Sequence, residues 1–299
     1  MLVLALLLSS TPDAAAGAPG PLLQAMGTCP GPMVVGVSGL TPGADLLLVT
    51  TRSGPGVDPA VLPAGPCEGL EVGVEGRMRW LGPTPDLDGD GRMRFDPDVP
   101  SGACPRWLVA VDMATCTRSV PVPLDGGAPL TVDWLRAGDL TITEAMPDPA
   151  AVTDAEGEWF ELRNDTPQPV DLAGLVVSDD GIEDFVVEAS VVVASGGHAV
   201  LGVQGDPELN GGVDVDYVWG SFEMFLANDD DEITLVAPFA EVSRLAWDGG
   251  ILFPDPTGAS MQLTPGGDPA VGADWCESTS PFGLGDLGTP GTSNLVCAD

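Results

Sequence analysis

Turn-forming residues recur about every ten positions along this chain, and short runs rich in Val, Leu and Thr stand between them. MVVGVSGL (Met33–Leu40) and ADLLLVTT (Ala44–Thr51) flank the turn Thr41-Pro42-Gly43. LEVGVEG (Leu70–Gly76), RMRWLG (Arg77–Gly82), GRMRF (Gly91–Phe95), WLVAVDM (Trp107–Met113) and TRSVPVPL (Thr117–Leu124) follow in the same rhythm. No helical periodicity accompanies them, so parallel βαβ units are excluded for want of crossover helices. The 40 glycines and 30 prolines would suit disorder, but an apolar fraction of 44% supplies a core. Short strands with frequent turns satisfy both facts. The reading is an all-β fold of two β-sandwich domains, residues 27–123 and 139–297, with 124–138 as a linker around Asp125-Gly126-Gly127-Ala128-Pro129.

The second half is organised around LTITEAMPDPAAVTDAEGEWFELRN. It reads as a strand over Leu140–Met146, a connection, and a strand over Glu158–Asn164. Further strands are expected at Phe185–Val187, His198–Gly202, Tyr217–Trp219, Glu232–Val236, Glu241–Trp247 and Ser260–Leu263. From Gly258 to Asn294 the chain is rich in Gly, Pro and Thr and is expected to wrap the sandwich as ordered coil.

Charge narrows the partners. Forty-five acids stand against ten bases, all of them Arg, for a formal charge of −35. Phosphate binding needs a basic patch, so this balance argues against nucleic acid as a partner. A polybasic contact with a membrane is excluded on the same ground. At the N-terminus, Leu2–Leu8 (LVLALLL) followed by the small residues Ala14–Ala18 reads as a signal peptide over 1–18, although no base precedes the apolar run. No later segment is long and apolar enough for a transmembrane helix. A secreted or cell-surface product is expected.

Six cysteines, without a C-x-x-C pair and with only one histidine in the chain, point to disulfides over zinc. If the two domains fold separately, Cys276 pairs with Cys297, and that closure contributes about 3 kcal/mol on chain-entropy grounds. Cys29, Cys67, Cys104 and Cys116 allow three connectivities. Cys104–Cys116 is the least favoured, because a full strand lies between them.

The second unit resembles the lamin tail domain family, in its bacterial extracellular form. The resemblance rests on LTITEAM and GEWFELRN, PVDLAGLVVSDD (Pro169–Asp180), SGGHAVLG (Ser195–Gly202), NGGVDVDYVWG (Asn210–Gly220), NDDDEITLV (Asn228–Val236), GASMQL (Gly258–Leu263), ADWCEST (Ala273–Thr279) and GDLGTPGTSN (Gly285–Asn294), in this order. It implies an immunoglobulin-like sandwich without enzymatic activity, of the kind found beside nucleases or as repeats in surface proteins. Leu175 departs from the family, where a tryptophan often follows the glycine. No a/d heptads occur, so the coiled-coil rod of nuclear lamins has no counterpart here. The first unit more loosely resembles a Cys-containing β module of secreted bacterial proteins.

Among candidate site residues the carboxylates come first. Alternation puts Glu158 on one face with Phe160 and Leu162, and Glu161 on the other with Trp159 and Arg163. If Glu144 approaches Glu158 across the sheet, the pair needs a cation or a shared proton. The favoured role for these glutamates is to accept backbone N–H bonds and pin the hairpin. Calcium ligation comes second and acid/base catalysis last. Asp86, Asp88 and Asp90 follow the D-x-D-x-D-G start of a calcium loop, but position twelve is Pro97 and no helix flanks it. A hairpin turn is the favoured reading there, with Arg77-Met78-Arg79 and Arg92-Met93-Arg94 on neighbouring strands. Asp229-Asp230-Asp231 reads as a solvated hairpin tip. His198 is the only histidine, and no G-x-S-x-G, H-E-x-x-H or P-loop occurs.

The architectural residues are Trp159, Phe160, Trp219 and Trp275 in packing, and Gly288 to Gly291, including Pro290, as the closing turn. The resulting expectation is a non-catalytic structural or interaction module of a bacterium, without a cofactor unless calcium binds. Its partner would be a protein or glycan of the cell envelope. The alternatives are a calcium-dependent adhesin or carbohydrate-binding module, and an accessory module to an extracellular hydrolase or nuclease.

Overall fold

The computed structural model describes residues 19–86, 89–220 and 223–298. The leader read at 1–18 lies outside the described residues, as does Asp88. The chain forms two compact units. One takes the described residues up to Ala25 with Val34–Asp125, and the other takes Met26–Met33 with Gly126 onward. Both are β structures. The only α-helix among the described residues is the single turn Asp154–Gly157.

In the first unit Asp45–Thr51 lies between Arg79–Pro85 and Arg106–Asp112, antiparallel to both. Arg106–Asp112 also pairs with Thr117–Arg118 and Val122–Leu124. These last two strands were expected as one continuous strand; the ladder is interrupted over Ser119–Pro121, where Pro121 offers no amide. Alternation along the sheet buries Leu47, Val49, Val109 and Val111 against Leu62, Val72 and Val74. The stretch Leu70–Gly76 differs from its expected form. It is not a strand, and only the bridge Val61↔Glu71 forms there. Gly69, Gly73 and Gly76 adopt φ of 89°, 75° and 81°, which turns the chain between its buried valines. A disulfide between Cys67 and Cys116 ties this coil to the sheet; closing a separation of 49 residues contributes about 4 kcal/mol on chain-entropy grounds.

The two arginine-bearing arms are not neighbours. Arg79–Pro85 pairs with Asp45–Thr51, while Met93–Phe95 pairs with Gly31–Ser38 in a separate sheet. Sequence similarity between the arms therefore does not reflect a shared hairpin.

The second unit is a sandwich. One sheet has the order Tyr217–Val218, His198–Gly202, Trp159–Asn164, Leu140–Met146, Met261–Leu263, Trp275–Glu277. The other has the order Asp184–Val186, Val176–Ser178, Asp230–Ala237, Ala240–Asp248. Ser243 Oγ accepts the Ile142 N–H at 3.2 Å, joining one sheet to the other. Aromatic rings continue that join. Trp219 stacks on Phe160 at 5.7 Å and on Phe185 at 5.6 Å, and Phe185 stacks on Tyr217 at 5.9 Å. The indole N–H of Trp219 donates to the Met224 carbonyl at 3.0 Å, so burying this ring leaves no orphan donor.

Of the stretch expected as a linker, 124–138, the part from Gly126 onward is built into this unit. Leu130–Thr131 pairs in parallel with Val170–Asp171, a short 3-10 turn follows at Val132–Trp134, and Leu130, Val132 and Trp134 are buried. The Gly-Gly-Ala-Pro composition suggests a tether, but the Leu-Thr-Val-Asp-Trp run after it has enough apolar surface to dock. Trp219→Ala removes the ring shared by both sheets and is expected to cost about 3–5 kcal/mol. Ile182→Ala, at a 96% exposed position, should change stability by less than about 0.5 kcal/mol, both read by urea denaturation.

Candidate functional site

Strand Leu140–Met146 contains an irregularity that decides where its carboxylate goes. Ile142 faces Leu162, but Glu144 faces Glu161, so Thr143 is an extra residue bulged out of the ladder. Without the bulge, Glu144 would stand opposite Phe160. With it, two glutamates of zero exposure meet directly across adjacent strands.

Both carboxylates are filled by donors, all but Thr143 from far along the chain. Glu144 Oε1 accepts the Ser260 hydroxyl in a short contact and the Thr289 N–H at 2.7 Å; its Oε2 accepts the Thr289 hydroxyl at 2.8 Å. Glu161 Oε1 accepts the hydroxyl of the bulged Thr143 at 2.7 Å, and Oε2 accepts the Gly291 N–H at 2.8 Å. Burial raises both glutamates above the ordinary carboxylate range, and the donors only partly oppose it. Glu161, which also feels Glu144, reaches about 8. His198 Nε2 lies 3.9 Å from Glu161 but does not neutralise it, since burial and then Arg163 push the imidazole below its usual value. Two adjacent buried carboxylates oppose each other's ionisation.

Three of these five donors, the Thr289 amide and hydroxyl and the Gly291 amide, belong to one closing strap. Thr289-Pro290-Gly291-Thr292 forms a turn closed by the Thr292 N–H on the Thr289 carbonyl at 3.0 Å, with Gly291 at φ 79°. Pro in the second position and a left-handed Gly in the third are what a type II turn requires. That turn aims two amides at two carboxylates. Gly288 passes close beside them: a Cβ there would come within 2.9 Å of the Phe282 ring and 3.2 Å of Glu144 Oε1. Asn294 Nδ2 donates to the Thr143 and Leu263 carbonyls at 2.7 and 3.0 Å, and Cys276 is bonded to Cys297 with a Cα separation of 5.7 Å. Trp275 and Trp159 close the flanks. The first donates its indole N–H to Pro269 at 3.1 Å, and the second meets Phe282 edge-on at 6.0 Å.

The anticipated meeting of Glu144 and Glu158 does not occur. Met146 pairs with Trp159, so Glu158 lies past the end of the ladder. It lines a separate open cleft of about 600 Å³ with Asp154, Phe225, Asn228, Asp229 and Asp230, where Oε2 accepts the Leu226 N–H at 3.1 Å. Burial, and then the charges of Asp154, Asp231 and Glu183, push it to about 8. All three glutamates thus accept backbone amides, but from segments 68 to 145 residues away and not from their own hairpin. The pinning is long-range, which strand alternation alone does not reveal.

In the D-x-D-x-D-G stretch, the described residues Asp86 and Gly89 to Gly91 are joined by side-chain to backbone hydrogen bonds. Asp86 Oδ1 accepts the Gly89 N–H at 3.2 Å, and Oδ2 accepts those of Gly43 and Gly91 at 3.1 and 2.9 Å. Asp90 Oδ1 accepts the Arg92 N–H at 2.8 Å. Among the described residues no group of three or more His, Cys, Asp or Glu side chains converges as a metal site; Asp88, the middle acid of the candidate calcium loop, lies outside them, and Glu144 and Glu158 are not brought together. Asp231 also departs from its expected place at a solvated tip. It is half-buried at a strand start, where its oxygens accept the Ala227 and Glu232 amides at 2.7 and 2.9 Å. None of the cysteines is free, which belongs to an oxidising compartment. No helix among the described residues is long and apolar enough to cross a membrane.

Raised glutamates give stability a definite pH sign. From pH 6.5 to 8 the folded protein keeps protons on Glu158 and Glu161 that the unfolded chain, with carboxyls near 4.5, has already released. Stability should therefore fall as pH rises through this window, by at most about 1.4 kcal/mol per pH unit for each group. Melting temperatures measured across it should decline, and Glu161→Gln should flatten part of that decline. Below pH 6.5 His198, kept neutral, acts in the opposite sense. Gly291→Ala forces a side chain into the left-handed region and should cost about 1–3 kcal/mol in the same measurement.

No curated protein matches this chain. The Lamin Tail Domain family model matches residues 136–249, which span both faces of the sandwich, its aromatic stack and the bulged strand carrying Glu144. The second unit accordingly contains an immunoglobulin-like Lamin Tail Domain over residues 136–249, and the chain as a whole is one that contains this domain together with disulfides.

Proposed function

We propose that this chain is a non-catalytic structural or interaction module, secreted or held at the surface of a bacterium. Its partner is a protein or glycan of the cell envelope. The observation that carries the reading is the engagement of Glu144 and Glu161. These paired carboxylates have no exposed surface, and their oxygens are filled by hydroxyls and amides that hold the closing strap. Groups so engaged are structural. The disulfides and the apolar leader at Leu2–Leu8 support export.

The rival with an observation behind it is carboxylate hydrolysis in the Glu158 cleft, where one raised acid sits among others. Incubating the full chain with envelope preparations separates the two. Saturable retention without release of reducing ends or peptides is expected; release that Glu158→Gln abolishes would overturn the proposal. The calcium-dependent reading has its own check. Anything that binds only the native state raises its melting temperature. Millimolar calcium should leave this one unchanged, and a rise lost in an Asp86→Asn variant would restore the adhesin reading.

A further inference from the structure

Four of the chain's ten arginines meet at one end of the first unit's sheet. Arg52 follows the last residue of Asp45–Thr51. The flanking strands run antiparallel to it, so their first residues lie beside its end, with Thr50 facing Arg79 and Thr51 facing Trp107. Arg106 opens one of these strands. Arg77 and Arg79, two positions apart, lead into the other. The four line a cavity of about 660 Å³ together with Ser53 and the 42% exposed Trp80. That volume is within the range of about 300–1,000 Å³ usual for small-molecule sites.

Charge makes this cluster unusual. Forty-five acids are available to pair ten bases, and elsewhere they do: Arg94 with Asp96 at 2.8 Å, Arg163 with Asp165 at 2.6 Å, Arg244 with Asp180 at 2.7 Å. In the cavity, Arg52 donates only to the Gly102 carbonyl at 3.3 Å. Arg77, Arg79 and Arg106 have no side-chain hydrogen bond or ion pair among the described residues. Gathering four cations without a counter-charge is unfavourable, and an anion placed among them relieves it.

We propose that this cavity binds a compact oxyanion, a carboxylate or sulfate, carried on a sugar ring. Guanidinium groups match the planar geometry of such anions with paired N–H donors. The indole of Trp80 offers a flat apolar face beside them, and Ser53 adds a hydroxyl. A long polyanion fits less well, because a chain of formal charge −35 repels it everywhere outside the patch. The assignment rests on the interaction-module reading and names the ligand chemistry for it.

Calorimetric titration of the full chain tests it with a uronic-acid tetrasaccharide, a sulfated oligosaccharide, a neutral oligosaccharide of equal length, a polyglutamate peptide and a single-stranded oligonucleotide. At least one acidic saccharide should bind, more weakly as salt rises, and the neutral one should not. The double variant Arg77→Gln/Arg79→Gln, at two exposed positions, should weaken binding by about tenfold or more. Trp80→Ala should weaken saccharide binding while leaving inorganic sulfate unaffected. Arg244→Gln, outside the cavity, should change nothing. No acidic saccharide binding, equal binding of the neutral saccharide, indifference to the double variant, or tighter binding of the peptide or oligonucleotide overturns the proposal. If native and double-variant chains are retained equally by envelope preparations, the cavity assignment fails and the module reading stands. If neither is retained, the module reading itself fails.

Discussion

Two carboxylates, neither with any exposed surface, meet across adjacent strands. Burial on this scale is tolerated only where hydrogen-bond donors replace solvent, and here five of them do. The closing turn, the left-handed glycine at its corner and the residue before it without a Cβ can all be understood as what that pair demands. Thr143 links cause and remedy: its insertion brings Glu144 opposite Glu161, and its hydroxyl then serves Glu161. The sandwich is therefore held in two ways. Apolar rings join its sheets through Trp219, and a polar lock joins one sheet to the coil that covers it.

Much of this architecture was legible beforehand. His198–Gly202 and Leu140–Met146 show strand composition and fall where expected. The turn at Thr289–Thr292 is written in its Pro-Gly pair. The partner of Glu144 was not legible, because alternation assumes an unbroken ladder and a bulge shifts everything beyond it by one residue. Leu70–Gly76 misled for a related reason. Its valines alternate as a strand would, but glycines between them take φ values that no strand uses. The Arg77-Met78-Arg79 run was visible, whereas its meeting with Arg52 and Arg106 depends on which strands become neighbours. Local pattern does not carry that.

The two units solve a similar problem by different means. In the first, a coil that forms almost no ladder is held on the sheet by apolar burial and by Cys67–Cys116. In the second, a covering coil is held by carboxylates and by Cys276–Cys297. Each of these two disulfides anchors a segment that sheet hydrogen bonds alone would not retain, so oxidation matters where the ladder is thin.

The strap also bears on where this domain ends. The family match stops at residue 249, yet the amides that receive Glu144 and Glu161 come 145 and 130 residues after them, beyond that limit. During synthesis both glutamates leave the ribosome long before their partners exist. Until residues 289–294 emerge, the central sheet carries two carboxylates it cannot bury, and water must remain where the strap will lie. Emergence of the strap, and not of the matched segment, is the event that dries the interior.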